Sequence, residues 1–367
     1  MRRIRISIFI ISITLICIGI VMVYSSSAMF SYDTYRSTTY FLRRHLAHLL
    51  VGSLLMVFVM SLDVAAIRRW IKPLFIFSLL LLLLVFFPHF GKEVGGARRW
   101  FKIGFFSFQP SEFTKWTTIL FLADLMAKKK REKLGFLRDF FWPLVITASV
   151  CGLILIQPDL GGALSLGAVS MLLFFAAGMH VASIVSLILL SLPVLYFSIF
   201  NVPYRRKRIL AFLNPWADAK GYGFQMVQSY LALGLGGLWG VGLGQSRQKL
   251  FYLPAAHTDF IFSIIGEELG FIGTASIVIL FMLFLWQGIK ISLRSTDPFI
   301  QLLSFGIVLT IVLTAFVHIA VVCGAVPTKG LPLPFISYGG SALVFNMAAL
   351  GLLLNIARDR YFQEQKI

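Results

Sequence analysis

The stretch ISIFIISITLICIGIVMVY, residues 6–24, decides the fold class of this chain. It carries no charge over a length close to the ~20 residues that a helix needs to cross the hydrocarbon core of a bilayer. Arginines precede it at positions 2, 3 and 5, and no convincing small-residue cleavage site follows it. We therefore interpret residues 6–24 as a first membrane-spanning helix and not as a cleaved signal peptide.

The same apolar character continues along the whole chain, in which 58% of the residues are hydrophobic and 13% are charged. The long apolar runs lack the alternation of barrel strands, so each is predicted to be a helix. We predict an all-α integral membrane protein with about ten transmembrane helices, arranged as a single polytopic membrane domain over residues 1–367. The predicted spans are roughly 6–24, 46–62, 71–88, 113–127, 141–156, 160–178, 181–200, 259–288, 299–323 and 338–357.

This topology leaves three large loops on one side of the membrane, about 89–112, 201–258 and 324–337. An even number of spans places both termini on the other side, and the basic N-terminus and the run KKKREK at 128–133 indicate that this side is cytoplasmic. The second loop holds a basic run, YRRKR, and a glycine-rich aromatic stretch that is typical of re-entrant or interfacial helices. The many cations predicted on the external side of the protein indicate either an anionic ligand or contact with lipid headgroups.

A second stretch, PAAHTDFIFSIIGEELG at 254–270, puts carboxylates at the start of a predicted span. A carboxylate is costly in hydrocarbon, so it normally faces a polar cavity or a partner and marks a functional site. Asp259 follows Thr258 at the outer edge, where it either caps the helix or serves as a reactive group. Glu267 and Glu268 lie about two turns further in, and we expect them to pair with external lysine or arginine or to stay protonated.

Charged residues in the other external loops indicate a polar site without defining its chemistry. Glu112 and Lys115 are one helical turn apart and can form a simple ion pair. Arg99 can bind a phosphate or anchor its loop, and Lys329 is a lone cation among prolines and glycines. The sequence contains no P-loop, no nucleophile elbow and no His/Cys cluster, which argues against an ATP-driven pump, a serine hydrolase and a zinc enzyme.

Four segments occur in order over nearly the whole chain: GARRWFKIGFFSFQPSEFTK, NPWADAKGYGFQMVQS, GQSRQKLFYLPAAHTDFIFSIIGEELGFIG and PTKGLPLPFISYGGS. Together they resemble the SEDS family, whose members act in shape, elongation, division and sporulation. The stretch QKLFYLPAAHTDFIF is similar to the pattern of the cell-division members of this family and less similar to that of the elongation members.

The resemblance implies a peptidoglycan glycosyltransferase that polymerises lipid II into glycan strands at the outer face of a bacterial cytoplasmic membrane, at the division septum. It implies Asp259 as the catalytic general base, supported by Thr258, Glu267 and Glu268. The substrate-binding residues that it implies are Arg99, Glu112, Lys115, Lys329, Ser337 and Ser341.

The resemblance also implies partners, and it leaves alternatives open. The expected partners are lipid II, a class B penicillin-binding protein that acts as a transpeptidase and other division proteins, but no nucleic acid. The reaction would run with or without a divalent cation, Mg²⁺ or Mn²⁺, beside the cationic side chains that stabilise the pyrophosphate leaving group. A lipid II flippase would need the same cations but no general base, whereas a non-catalytic division scaffold would leave the polar cavity unexplained.

Overall fold

The computed structural model of the protein describes residues 1–87, 91–94, 97–103, 106–132 and 136–358, which form twelve α-helices and one small sheet. The first seven helices are α1 (Arg2–Tyr35), α2 (Tyr40–Ser61), α3 (Val64–Leu84), α4 (Pro110–Glu132), α5 (Phe136–Ile156), α6 (Leu160–Ala176) and α7 (Val181–Phe200). They are followed by α8 (Pro203–Leu213), a short 3₁₀ helix (Pro215–Asp218), α9 (Phe224–Gly236), α10 (Ile261–Arg294), α11 (Pro298–Val322) and α12 (Gly340–Ile356).

Every predicted span overlaps one of these helices, which confirms a predominantly helical membrane fold. Within the described ranges, five helices are long and apolar enough to cross a membrane by length and composition, namely α1, α2, α7, α10 and α11. The number of crossings therefore stays a prediction. The segment 201–258 contains the helices α8 and α9, and their predicted re-entrant or interfacial position is likewise still a prediction.

The loop predicted at 89–112 contains a three-stranded antiparallel sheet, which the sequence analysis did not predict. Its strands pair in chain order and are β1 (Gly91–Val94), β2 (Ala97–Ile103) and β3 (Phe106–Phe108). Phe101 lies opposite Phe108, and the ring centroids of Phe108 and Phe345 of α12 are 5.8 Å apart. Aromatic residues favour strands whose side chains are half-buried, as here. The sheet therefore holds β2, and with it Arg99, against the helix bundle.

Helix α10 is broken at Gly270. This residue has φ 67° and ψ −165°, a conformation that glycine adopts far more readily than other residues. The carbonyls of Glu267 and Glu268 before the break, and the amides of the two residues after it, bond to the backbone of residues 237–242 at 2.9 to 3.2 Å. The glycine-rich segment after α9 thus completes the hydrogen bonds that the helix loses, as backbone groups at membrane depth require.

Contacts between the helices define two ends of the molecule. At one end, Arg68 of α3 pairs with Asp124 of α4 at 2.5 Å, and the Asn355 side chain of α12 donates to a carbonyl just after α2 at 2.7 Å. At the other end, the Gln157 side chain donates to the Leu82 carbonyl of α3 at 2.8 Å. We call this second end the loop end, because it gathers the segments 97–109, 157–161, 254–260 and 324–341.

The hydrophobic core lies mainly between α10, α11 and α12 and the helices that pack on them. Phe281 and Phe284 of α10 and Phe299 of α11 are fully buried there. Helix α7, in contrast, has no buried residue. Its apolar side chains face outwards, as expected for a helix in contact with lipid.

Candidate functional site

Asp259 lies in the turn before α10, and the segment before α12 holds this turn in place. The Ser337 hydroxyl donates to the Thr258 carbonyl at 2.7 Å, and the Tyr338 amide donates to the His257 carbonyl at 3.0 Å. Both contacts are to the residues directly preceding Asp259, so they fix the backbone on which its carboxylate stands. Ser337 and Thr258 thus lie beside Asp259, and their functional roles stay predictions.

The carboxylate of Asp259 does not cap the following helix. The cap residue of α10 is Phe260, and it makes no side-chain hydrogen bond to the helix. Within the described ranges, the half-buried Asp259 carboxylate has no hydrogen bond or ion pair, and a Cβ on Gly330 would lie 3.0 Å from one of its oxygens. Burial raises the pKa of Asp259 to about 6, against the opposing effect of Arg208 nearby. An unengaged carboxylate with a raised pKa is suited to accept a proton near neutral pH.

Lys329 lies close to a second carboxylate, that of Asp159. Asp159 caps α6 by accepting from the Gly162 amide at 2.9 Å. The buried His318 of α11 holds the loop that contains Lys329 in place. Its ring nitrogen donates to the Leu331 carbonyl at 2.7 Å. Burial lowers the pKa of Lys329 to about 8, and the charge of Asp159 raises it. Lys329 is therefore a partly desolvated cation that is still mainly protonated at neutral pH.

Three arginines add positive charge at the loop end. Arg99 donates to two backbone carbonyls just before Asp159, at 2.7 Å and 2.6 Å. Arg208 of α8 donates to the Thr328 carbonyl at 3.3 Å. Arg205, one turn earlier on α8, has its pKa lowered by burial and then by the charge of Arg99, while Asp159 raises it. A concentration of positive charge of this kind favours an anionic ligand.

The residues Asp159, Arg205 and Arg208 were not predicted as site residues. Asp159 lies between two predicted spans, where a short polar turn is unremarkable. Arg205 and Arg208 belong to the basic run YRRKR, whose members look equivalent in the sequence. Their spacing of three residues, typical of one helix face, was the available signal. Which face points to the site depends on how α8 packs.

Glu112 and Lys115 form the ion pair that their spacing predicted, at 2.8 Å and buried at the start of α4. The Ser341 hydroxyl donates to the Ser107 carbonyl and accepts from the Gln109 amide, both at 2.9 Å, so it ties α12 to the region between β3 and α4. In the described part of the chain, none of these groups bonds directly to the catalytic candidate in the α10 turn. Their predicted contact with substrate stays a prediction.

The buried glutamates of α10 serve as anchors. Glu268 forms the expected ion pair, with Lys249 at 2.8 Å, and also accepts from the Ser25 hydroxyl of α1 at 2.7 Å. Glu267 has no ion pair within the described ranges. It accepts hydrogen bonds from the Ser246 hydroxyl and from the Arg247 amide, the latter at 2.8 Å. The two side chains therefore attach the loop before the α10 turn to α10 itself, and Glu268 attaches it to α1.

The described residues contain no group of three His, Cys, Asp or Glu side chains that could hold a metal ion. A requirement for Mg²⁺ or Mn²⁺ stays a prediction.

The fold and the site together define a polytopic membrane protein that gathers two carboxylates and four cations at one end. Residues 5–362 match the family of FtsW, RodA and SpoVE, described as cell cycle proteins. The chain belongs to this family, which confirms the resemblance seen in the sequence.

Similar proteins cover almost the whole chain. The probable peptidoglycan glycosyltransferase FtsW of Geobacter metallireducens is 44% identical over 97% of this chain and 95% of its own length. Stage V sporulation protein E of Bacillus subtilis is 42% identical over 96% of each. A chain in a solved peptidoglycan synthase complex that coordinates polymerization and crosslinking has TM-score 0.78 and 30% identity to this chain. The match covers 96% of this chain and 97% of that one. The crystal structure of Thermus thermophilus RodA has TM-score 0.73 and 28% identity, with 97% coverage of both.

Proposed function

We propose that this chain is a peptidoglycan glycosyltransferase that polymerises lipid II during bacterial cell division. The names of its FtsW relatives and the likeness to a peptidoglycan synthase support this function. The observation that carries the mechanism is the half-buried carboxylate of Asp259, which has a raised pKa, no hydrogen bond or ion pair within the described ranges, and Arg208 and Lys329 near it. A lipid II flippase would use the cations, but it would have no need for this base.

The reaction joins the 4-hydroxyl oxygen of one sugar to the anomeric carbon of another. Asp259 accepts the hydroxyl proton as the new C–O bond forms, and the bond from the anomeric carbon to the pyrophosphate oxygen breaks. The electron pair leaves with the lipid pyrophosphate, on which negative charge grows. Arg99 and Lys329 stabilise that charge more strongly in the transition state than in the ground state.

The placement in the membrane follows from the substrate. The loop end faces outwards from the cytoplasmic membrane, both termini are cytoplasmic, and the polyprenyl chains lie against apolar helix faces. Glycan polymerisation then occurs where the product is needed, at the septum. The partner is a class B penicillin-binding protein, and the similarity to a complex that coordinates polymerization and crosslinking supports this assignment.

Replacing Asp259 by asparagine tests the proposal. Asparagine keeps the size of the side chain but cannot accept the proton, so glycan synthesis from lipid II should fall at least ~100-fold. The variant should keep the melting temperature of the wild type, because a neutral amide is easier to bury than a carboxylate. Asp33→Asn, at an exposed position near the end of α1, is the matched control and should be fully active.

The outcomes separate the candidate functions. Both proteins would be purified, combined with the transpeptidase partner in liposomes and supplied with lipid II, and the glycan strands would be separated by length. Normal strands from Asp259→Asn would refute the base assignment. Translocation of lipid II by the wild type without any glycan product would favour the flippase.

A further inference from the structure

Helix α8 directs two of its basic side chains towards the site and two away from it. Arg205 and Arg208, three residues apart, are half-buried, whereas Arg206 and Lys207 between them are exposed. Arg205 donates to the Ser198 carbonyl at 2.7 Å. The helix therefore separates a pair of arginines that face the carboxylates from a pair of cations that face away.

The two inward arginines keep most of their binding capacity. Each donates a hydrogen bond to a backbone carbonyl, and within the described ranges neither has an ion pair with a carboxylate. The Arg208 guanidinium also lies 4.5 Å from the centre of the Tyr204 ring, but neither this contact nor a bond to a carbonyl removes the charge of a guanidinium, and most of its N–H donors remain. Arg205 is also held near a second guanidinium, that of Arg99, and the Asp159 carboxylate offsets part of the repulsion between them.

The charges around the two carboxylates indicate the kind of ligand. Four basic groups, Arg99, Arg205, Arg208 and Lys329, lie around Asp159 and Asp259 and leave an excess of positive charge there. A pyrophosphate diester carries two negative charges, and its oxygens match the fork of N–H donors that arginine presents. A lipid-linked pyrophosphate therefore offsets more of this positive charge than a lipid monophosphate or a headgroup phosphate would.

We propose that Arg205 and Arg208 of α8 bind the pyrophosphate of the lipid whose sugar is transferred, opposite Arg99 and Lys329. The inference rests on the proposed function. As the bond between the anomeric carbon and the pyrophosphate oxygen breaks, these arginines stabilise the negative charge that develops on the leaving pyrophosphate. Asp259 takes the proton of the attacking hydroxyl, so charge is conserved within the site.

The test compares single variants of α8 in the full-length protein. Arg205→Gln and Arg208→Gln remove one inward guanidinium each, and Arg206→Gln removes an outward one from the same helix. The probes are an undecaprenyl pyrophosphate and an undecaprenyl monophosphate, both in detergent micelles. Each inward variant should bind the pyrophosphate about 10- to 100-fold more weakly, since a charge-assisted hydrogen bond is lost. Arg206→Gln should bind like the wild type, and the monophosphate should bind more weakly than the pyrophosphate to the wild type.

Two further variants distinguish charge from folding. Arg205→Lys and Arg208→Lys keep the charge but not the planar fork, so they should bind with intermediate affinity at a wild-type melting temperature. Asp259→Asn should bind the pyrophosphate at least as well as the wild type, because it removes a negative charge. Unchanged pyrophosphate binding in the inward glutamine variants would overturn the inference even if the wild type polymerises lipid II. If the wild type makes no glycan but the inward glutamine variants bind the pyrophosphate more weakly, the polymerase function is rejected and the pyrophosphate site is retained.

Discussion

At the scale of single residues, burial shifts the pKa values of Asp259 and Lys329 in opposite directions. Removal from water disfavours the charged form, so it raises the pKa of the carboxyl to about 6 and lowers that of the amine to about 8. Both groups remain mainly charged at neutral pH, as the proposed roles of Asp259 as a base and of Lys329 as a cation for the leaving group require. The site is therefore matched to a narrow range of pH.

The pH dependence of kcat/KM tests this pairing. The rate should rise as pH increases through about 6, because Asp259 must be ionised, and fall above about 8, because Lys329 must be protonated. Lys329→Arg, where it retains activity, should lose the alkaline limb and keep the acidic one, since arginine stays protonated. A rate that is constant through both pKa values would contradict both assignments.

At the scale of elements, the first turns of α10 organise the loops around the site. Glu267 and Glu268 attach the loop before the Asp259 turn, and the break at Gly270 opens the helix to the segment 237–242. A long helix thus supports two loops and the turn that holds Asp259.

Gly270→Ala should destabilise the protein strongly. A Cβ there would lie 2.3 Å from the Gly240 amide nitrogen and 2.5 Å from the Leu238 carbonyl oxygen, and the positive φ adds strain. We expect a loss of about 2–4 kcal/mol, measured as a lower melting temperature in detergent. Gly234→Ala on α9 is the control, because a Cβ there has no neighbour within 4 Å and alanine favours a helix. Equal melting temperatures of Gly270→Ala and Gly234→Ala would contradict the steric conflict and the backbone strain expected for a side chain at Gly270.

The pair of Glu268 and Lys249 should show strong coupling. Lys249→Met leaves a buried carboxylate without its cation, and Glu268→Gln leaves a buried cation, each with an expected loss of about 3–5 kcal/mol. The double variant should lose clearly less than the sum, because neither charge is then left alone. Lys128→Met is the control: Lys128 pairs with Asp124 but is 54% exposed, so its removal should cost at most about 1 kcal/mol. Additive losses for Glu268 and Lys249 would show that the ion pair does not hold the loop.

At the scale of the whole molecule, the charges fall into two groups at opposite ends. Arg68, Asp124 and Lys128 lie at one end, and the site lies at the loop end. The proposed activity requires the loop end to face outwards. The orientation is therefore the property of the whole molecule on which every proposed role depends.

Cysteine labelling in intact cells measures this orientation. Single cysteines at Lys102 and Lys220, both exposed, should react with a membrane-impermeant thiol reagent in a background without Cys17, Cys151 and Cys323. A cysteine at Lys128 should react only after the membrane is opened. The opposite pattern would place the site in the cytoplasm, where it could not polymerise glycan outside the cell.

The sequence by itself determined the helical membrane fold and drew attention to Asp259. Both depend on local properties, namely the length of each apolar run and the high cost of a carboxylate near hydrocarbon. The family motifs pointed to Arg99 and Lys329 in the same way, as residues within recognisable segments. The expected pairing of Glu112 with Lys115 also came from local spacing on one helix, and the structure contains that pair.

Only the tertiary structure decided how these residues come together. The strands β1 to β3, the break at Gly270 and the inward face of α8 all depend on contacts between segments far apart in the chain. The sequence offers Arg205 and Arg208 as members of a uniform basic run, and it offers Asp159 as an ordinary turn residue. They become parts of one charged site because packing brings α8, the start of α6 and the Lys329 loop to the same end, and no local pattern encodes that convergence.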